Sequence, residues 1–181
     1  MILRRRKSPS GWSKLRARSE TKDLWVVPQW TGKPELGPWV TDDGQRIVDV
    51  IADGHVESLP FNLWFEQSPN CKGSRRGDIL WVEGLPIGIV SNRFVEELGK
   101  LDVSGWSTYQ VSIRDTAGHE IEGYQGFVAD VTGDSEVISW AWNEGRQVPV
   151  YLAADKVADA LQAAGVDGMD REAATERLPR R

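Results

Sequence analysis

The segment LPIGIVSNRFVEELGKLDVSGW, residues 85–106, is the part of the sequence that most clearly predicts a fold. It begins as an apolar strand, continues as an amphipathic helix and ends in a glycine-containing turn. Ser91 or Asn92 is placed to cap the free N–H groups at the start of the helix. Phe94 and Leu98 then lie one turn apart on an apolar stripe. The pattern therefore predicts a strand–helix–turn unit.

The same pattern returns over residues 149–169. Asp155 is the predicted N-cap of this second helix, and Gly165 is the predicted left-handed stop at its C-terminus. Two units of equal spacing indicate a repeated element. We therefore expect residues 92–101 and 155–164 to be helices, each entered from a strand. The matching positions are Ile89 and Leu152, Phe94 and Val157, Leu98 and Leu161, Val103 and Val166, and Gly105 and Gly168.

Most other segments are short apolar or alternating runs joined by turns, which predicts strands linked as hairpins. Residues 78–82 and 85–90 form one such pair, and residues 106–113 and 119–131 form another. Runs of hairpins with few helices favour the α+β class. The predicted fold is α+β, with a mainly antiparallel sheet and two repeated strand-helix-turn units packed on it.

Charge is unevenly distributed along the chain. Residues 1–20 contain seven Lys or Arg and one acid, which gives +6, and the remainder carries −11, for a total of −5. This asymmetry predicts three regions: a basic flexible arm over 1–22, a single α+β domain over 23–170 and a charged tail over 171–181. The arm has two interpretations, a solvated terminus or a binding segment for nucleic acid or another anionic surface. On the second interpretation, the partner-binding residues are Arg4, Arg5, Arg6 and Lys7.

Composition points to a globular protein of the cytoplasm. The chain has 181 residues, 40% of them hydrophobic, which suits one domain with a buried core. No apolar run approaches the roughly 20 residues that a membrane-spanning helix needs, and no apolar segment of a secretory signal follows the basic start. Cys71 is the single cysteine, so an internal disulfide is excluded and a reducing compartment is expected.

No recognised catalytic or nucleotide-binding motif occurs in the sequence. Cys71 with His55 or His119 is a conceivable nucleophile and base, but their spacing gives no support for it. An acidic segment has the residue types of a hard-cation site without the spacing of a calcium loop. We therefore predict no enzyme, no cofactor and no catalytic, cofactor-binding or metal-ligating residues. The acidic segment contains Asp42, Asp43, Asp49 and Asp53, next to His55.

Nine tryptophans are the most unusual feature of the composition. Strands favour aromatic residues, so packing in the core and on sheet faces is one interpretation. The other is an aromatic patch for a protein partner, since tryptophan is enriched at interaction hot spots. Trp140 and Trp142 share one strand face by their spacing and are the predicted partner-binding tryptophans.

Two segments, residues 89–98 and 154–169, resemble a bacterial family of immunity proteins that accompany polymorphic toxins. Gly77-Asp78-Ile79-Leu80 adds to the resemblance, which covers residues 75–170. The resemblance implies a cytoplasmic protein that binds and occludes a toxin, and it implies no catalytic residues.

Two functions are therefore expected from the sequence. One is a non-enzymatic protein-binding domain, an immunity protein whose acidic body complements a basic toxin such as a nuclease. The other is a nucleic-acid-associated or phage assembly protein that uses its basic arm. Deletion of the arm separates them, because only the second function depends on it.

Overall fold

The computed structural model describes residues 10–31, 40, 44, 46–52, 54–59, 61–83, 87–129, 135–143 and 147–174. Its elements, in chain order, are eleven strands, three α-helices and one 3₁₀ turn. They are β1 Trp12–Ala17, β2 Trp25–Trp30, α1 Ile47–Ala52, the 3₁₀ turn Val56–Ser58, β3 Leu63–Gln67, β4 Trp81–Val82, β5 Gly88–Ser91, α2 Asn92–Gly99, β6 Trp106–Tyr109, β7 Ile113–Arg114, β8 Tyr124–Ala129, β9 Val137–Asn143, β10 Gln147–Ala154, α3 Asp155–Ala163 and β11 Met169–Ala173.

The described strands form three sheets. The first has the order β11-β1-β10-β9 and is antiparallel throughout. The second has the order β4-β2-β3-β7 and is mixed, because β2 pairs in parallel with β4 and β3 in parallel with β7. The third, β5-β8-β6, is antiparallel. No helix within the described ranges is both long and apolar enough to cross a membrane.

The predicted fold, a mainly antiparallel sheet carrying two repeated units, is wrong. Within the described residues the protein is mostly β, and its strands are divided among three sheets. Both expected helices are present and each follows a strand directly. The strands before them are not equivalent, however: β5 is a four-residue edge strand of the third sheet, and β10 is an eight-residue inner strand of the first. The equal spacing therefore sets local structure and not a repeated architecture.

The boundaries of the predicted arm and tail also need correction. Trp12–Ala17, expected in the flexible arm, forms β1, and Arg171–Ala173, expected in the tail, belongs to β11. These two strands pair with each other, with Leu15 opposite Arg171. Ser13, Leu15 and Ala17 alternate with more exposed residues and are at most 2% exposed. Because two of those three inward residues are serine and alanine, the apolar alternation is weak in the sequence.

The third sheet lies between two buried clusters. Ile89 belongs to one cluster with Phe65 and Ile113, and its neighbour Val90 belongs to the other with Phe94. All four residues of β5 are buried, which explains its continuous apolar sequence. The cluster of Val90 and Phe94 also contains Leu98 and Leu161, which confirms that both helical stripes face the core.

The helix ends follow local rules that the sequence largely shows. Ser91 caps α2, and its hydroxyl accepts a hydrogen bond from the Phe94 N–H at 3.0 Å. Gly165 ends α3 with a φ of 77°, and its N–H donates to the Gln162 carbonyl. Asp155 is not the N-cap of α3: the cap position is Ala154, and Asp155 is the first helical residue.

Candidate functional site

A cleft of about 450 Å³ lies between α3, the turn that follows it and the β1–β11 pair. Most of the charged side chains around it come from segments that are far apart in sequence, so the cleft forms only in the folded protein. Its volume is in the range of about 300–1,000 Å³ that ligand pockets occupy. The residues that line it include Ser13, Arg18, Asp155, Gln162, Asp167 and Arg171.

A hydrogen-bonded network forms one wall of the cleft. The Ser13 hydroxyl donates to Oδ1 of Asp155 at 2.7 Å and accepts from Nε of Arg171 at 2.9 Å. Nη1 of Arg171 donates to Oδ1 of Asp159 at 2.6 Å. Nη2 of Arg171 lies 3.6 Å from Oδ1 of Asp155. The network joins strand β1, helix α3 and strand β11 through one guanidinium group.

One oxygen of this network is left without a partner. Oδ2 of Asp155 is buried and has no hydrogen-bond partner among the described residues. Buried polar atoms in proteins are nearly always hydrogen-bonded, so an exception calls for a reason. The position of Asp155 in the first turn of α3 favours a negative charge there, because the backbone N–H groups at a helix start are positive.

Two carboxylates at the rim of the cleft are more exposed than the arginines with which they pair. Arg18 is 22% exposed while Asp167, its partner at 3.2 Å, is 75% exposed. Arg171 is 20% exposed while Asp159 is 58% exposed. Asp159 and Asp167 are therefore the more exposed members of their ion pairs, and they place negative charge at the rim.

The environment of Asp167 favours its ionised form. A hydrogen bond from the Gly168 N–H lowers the pKa of the Asp167 carboxyl, and the nearby Arg18 guanidinium adds to this effect. The Asp167 backbone is held in turn by Asp78, whose Oδ2 accepts from the Asp167 N–H at 2.6 Å. The most exposed acid of the rim is therefore both fixed in place and charged at neutral pH.

The structure does not bring Cys71, His55 and His119 together. The buried Cys71 thiol donates to the backbone carbonyls of Asp23 and Gly73. Nδ1 of His119 lies 3.2 Å from Asp115, and that of His55 lies 4.0 Å from Glu57. Each of the three side chains thus has local contacts of its own, at a different place in the fold.

The predicted acidic cation site is not described as a whole. Asp42, Asp43 and Asp53 lie outside the described residues, and Asp49 lies in α1 and pairs with Arg46 at 3.7 Å. Within the described part of the chain, no group of three or more His, Cys, Asp or Glu side chains is arranged to hold a metal ion.

The predicted partner-binding residues stay predictions. Arg4, Arg5, Arg6 and Lys7 lie outside the described residues. Trp140 and Trp142 lie in β9, at the edge of the first sheet, and their side chains lie outside the described part of the structure. The tryptophans whose side chains are described are all buried or partly buried, which favours packing as their role. They are Trp12, Trp25, Trp30, Trp64, Trp81 and Trp106.

The residues of the cleft were missed in the sequence for a common reason. The sequence predicts Asp155 as a helix cap and places Arg171 in the charged tail and Ser13 in the basic arm. Only the pairing of β1 with β11 and β10 brings them together, and strand pairing over such distances leaves no local signal.

Comparison with known proteins adds no relative: no family model matches the chain, and no curated protein matches it. Any functional conclusion therefore depends on the site itself and on the family resemblance found in the sequence.

Proposed function

We propose that this protein is a non-enzymatic binding domain that neutralises a basic toxin by covering it, as an immunity protein does. The observation that carries the proposal is the negative rim of the cleft, where Asp159 and Asp167 are exposed and the arginines behind them are covered. Opposite charges on two surfaces speed encounter and reject wrong partners.

The net charge of the chain supports the same partner. Residues 21–181 carry −11, so the body as a whole attracts a positively charged protein. Nuclease toxins are a suitable class, because enzymes that grip the phosphate backbone carry basic surfaces. The resemblance of residues 75–170 to immunity proteins points to the same biological setting.

The hydrogen bonding of Ser13 supports binding over catalysis. The Ser13 hydroxyl of the cleft network donates a hydrogen bond to the Asp155 carboxylate and accepts one from Arg171. The arginine draws electron density from the oxygen that would attack, and a carboxylate is a weak base for a serine hydroxyl. Activation of a serine normally requires a better-matched base such as histidine.

The nucleic-acid alternative loses part of its basis. Arg16 and Arg18 belong to the seven basic residues of the predicted arm, yet they form ion pairs with Asp170 and Asp167 on the folded body. Only Arg4-Arg5-Arg6-Lys7 then remain as a contiguous basic group in front of β1.

The test uses a toxin domain cloned from the genes that neighbour this one and a truncated chain that starts at Ser10, so that β1 is kept. We expect the full chain and the truncated chain to bind the toxin domain equally in calorimetry, and both to restore growth to bacteria that express it. Random duplex DNA serves as the competing ligand.

Two results would contradict the proposal. One is the absence of toxin binding, which includes the case in which no toxin is encoded nearby. The other is DNA binding by the full chain that disappears on truncation together with its activity, which would establish the nucleic-acid function instead.

A further inference from the structure

The first sheet brings the two ends of the described chain together. Strands β1 and β11 are antiparallel neighbours, so the start of β1 lies beside the end of β11. The Ala174 N–H donates to the Trp12 carbonyl at 2.9 Å, and the Ser10 hydroxyl donates to the Ala174 carbonyl at 2.6 Å. Residues opposite each other in such a hydrogen-bonded pair have Cα atoms about 5.5 Å apart. Residues 1–9 and 175–181, the two terminal segments, therefore join the fold at one place.

The two terminal segments carry the excess positive charge of the chain. Residues 1–9 contain four Lys or Arg and no acid, and residues 175–181 contain three Arg and one Glu, so together they carry +6. Residues 10–174 contain 15 Lys or Arg and 26 Asp or Glu, which gives −11. The seven cations of the terminal segments are Arg4, Arg5, Arg6, Lys7, Arg177, Arg180 and Arg181.

The described acids at this end of the first sheet already have cationic partners. Ala154 lies opposite Trp12, and its N–H donates to the Glu136 carbonyl, which places Glu136 in the same row of the sheet. The ion pairs here are Glu136 with Lys156, Asp155 with Arg171 and Glu172 with Arg16. The cations of the terminal segments are thus gathered beside carboxylates that are neutralised by other residues.

We propose that the two terminal segments together form a binding site for the phosphate backbone of nucleic acid. Six of the seven cations are arginine, whose planar fork donates two parallel hydrogen bonds to one phosphate. A nucleic acid carries its phosphates in an unbroken line, so two segments that start about 5.5 Å apart reach the same molecule. Because strand pairing holds the segments together, binding by one raises the effective concentration of the other.

The test measures the affinity of the full chain for a short random DNA duplex by fluorescence anisotropy over a series of salt concentrations. One variant combines Arg4→Gln, Arg5→Gln, Arg6→Gln and Lys7→Gln, and the other combines Arg177→Gln, Arg180→Gln and Arg181→Gln. We expect each to weaken binding at least tenfold at about 50 mM salt. The slope of log affinity against log salt should become shallower by roughly three to four in the first variant and by roughly two to three in the second.

The matched control removes three positive charges from elsewhere on the body. It combines Arg46→Gln, Lys72→Gln and Arg76→Gln, all of them at exposed described positions, so its net charge equals that of the C-terminal variant. We expect the control to weaken DNA binding less than threefold. A thermal melt of each protein checks that the fold is kept.

Four results would overturn the proposal. They are no DNA binding by the unaltered chain at low salt, unaltered affinity in the C-terminal variant, an equal loss in the control, and tighter binding to vesicles of phosphatidylcholine and phosphatidylserine than to DNA. The second result would show that the N-terminal segment binds without its neighbour.

The proposed function is tested separately by the toxin domain. If both variants lose DNA and still bind the toxin domain, the nucleic-acid site and the toxin-binding function both stand. If DNA binds as expected and no toxin is bound, the proposed function is wrong and the nucleic-acid site stands.

Discussion

Asp78 and Asp155 both join distant segments of the chain. Both oxygens of the Asp78 carboxylate are hydrogen-bonded, whereas one oxygen of the Asp155 carboxylate is not. Oδ1 of Asp78 accepts from the Ser91 hydroxyl and its Oδ2 accepts from the Asp167 N–H at 2.6 Å. The Asp78 backbone is bound on both sides as well, to Asp167 and to Ser91. Asp155 has one satisfied oxygen, an ion pair with Arg171 at 3.6 Å and one unsatisfied oxygen.

Asp78 thus belongs to a fully hydrogen-bonded junction of the fold, whereas Asp155 lines the candidate binding cleft. Asp78 fixes the start of α2 to the turn after α3, and nothing in its network is left to contact a partner. Asp155 holds β1 against α3 with one oxygen, and its other oxygen is buried without a hydrogen bond among the described residues. Changes around Asp78 should therefore act on the free energy of unfolding, and changes around the cleft should act mainly on binding.

The largest expected effect comes from Gly168→Ala, which disturbs the backbone packing next to Asp78. Gly168 has a φ of 75°, and an added Cβ would collide with the Cα of Gly77. Left-handed strain and overpacking together should cost about 2–5 kcal/mol of unfolding free energy. Gly118→Ala is the matched control, with a φ of 83° and open space around its Cβ, and should cost only about 1–2 kcal/mol. Equal losses in urea denaturation would show that the contact with Gly77 is unimportant.

The next effect is that of Asp78→Ala. This change leaves the Ser91 hydroxyl and the Asp167 N–H without their acceptor in a buried place, and should cost about 2–4 kcal/mol. Asp159→Ala removes an acid from the rim and should cost under about 1 kcal/mol, because exposed ion pairs contribute little. A smaller loss for Asp78→Ala than for Asp159→Ala in the same denaturation assay would contradict the distinction between the two regions.

The smallest effect concerns acid stability. The pKa of Asp167 is lowered in the folded state, so its contribution is present above the unfolded pKa and is lost as pH falls through the folded one. Because Asp167 is 75% exposed, we expect less than about 0.5 kcal/mol from it. Asp167→Asn should give a slightly shallower loss of stability in thermal melts as the pH falls below the ordinary aspartate pKa of 3.8. A steeper loss in the variant would show that Asp167 does not stabilise the folded state.

Local signals in the sequence predicted local structure well. The Ser91 cap, the Gly165 stop and the burial of Leu98 and Leu161 all follow from rules that operate within a few residues. The positions of α2 and α3 follow from the same rules, each within two residues of the predicted end.

Long-range pairing is what the sequence did not show. The strands of three sheets are sorted by contacts between remote segments, so the equal spacing of two helical units gave a wrong architecture. Ser13, Asp155 and Arg171 meet only because β1 pairs with both β10 and β11. No local sequence pattern around these cleft residues predicts that they come into contact.

The central claim, that a negative cleft rim recognises a basic partner, is tested most directly by the association rate of the toxin domain. The unaltered protein is compared with a chain that combines Asp159→Asn and Asp167→Asn, at about 50 mM and about 500 mM salt. We expect the combined variant to associate roughly tenfold more slowly at low salt, with the difference nearly gone at high salt because the charges are then screened. Equal association rates at low salt would contradict the account.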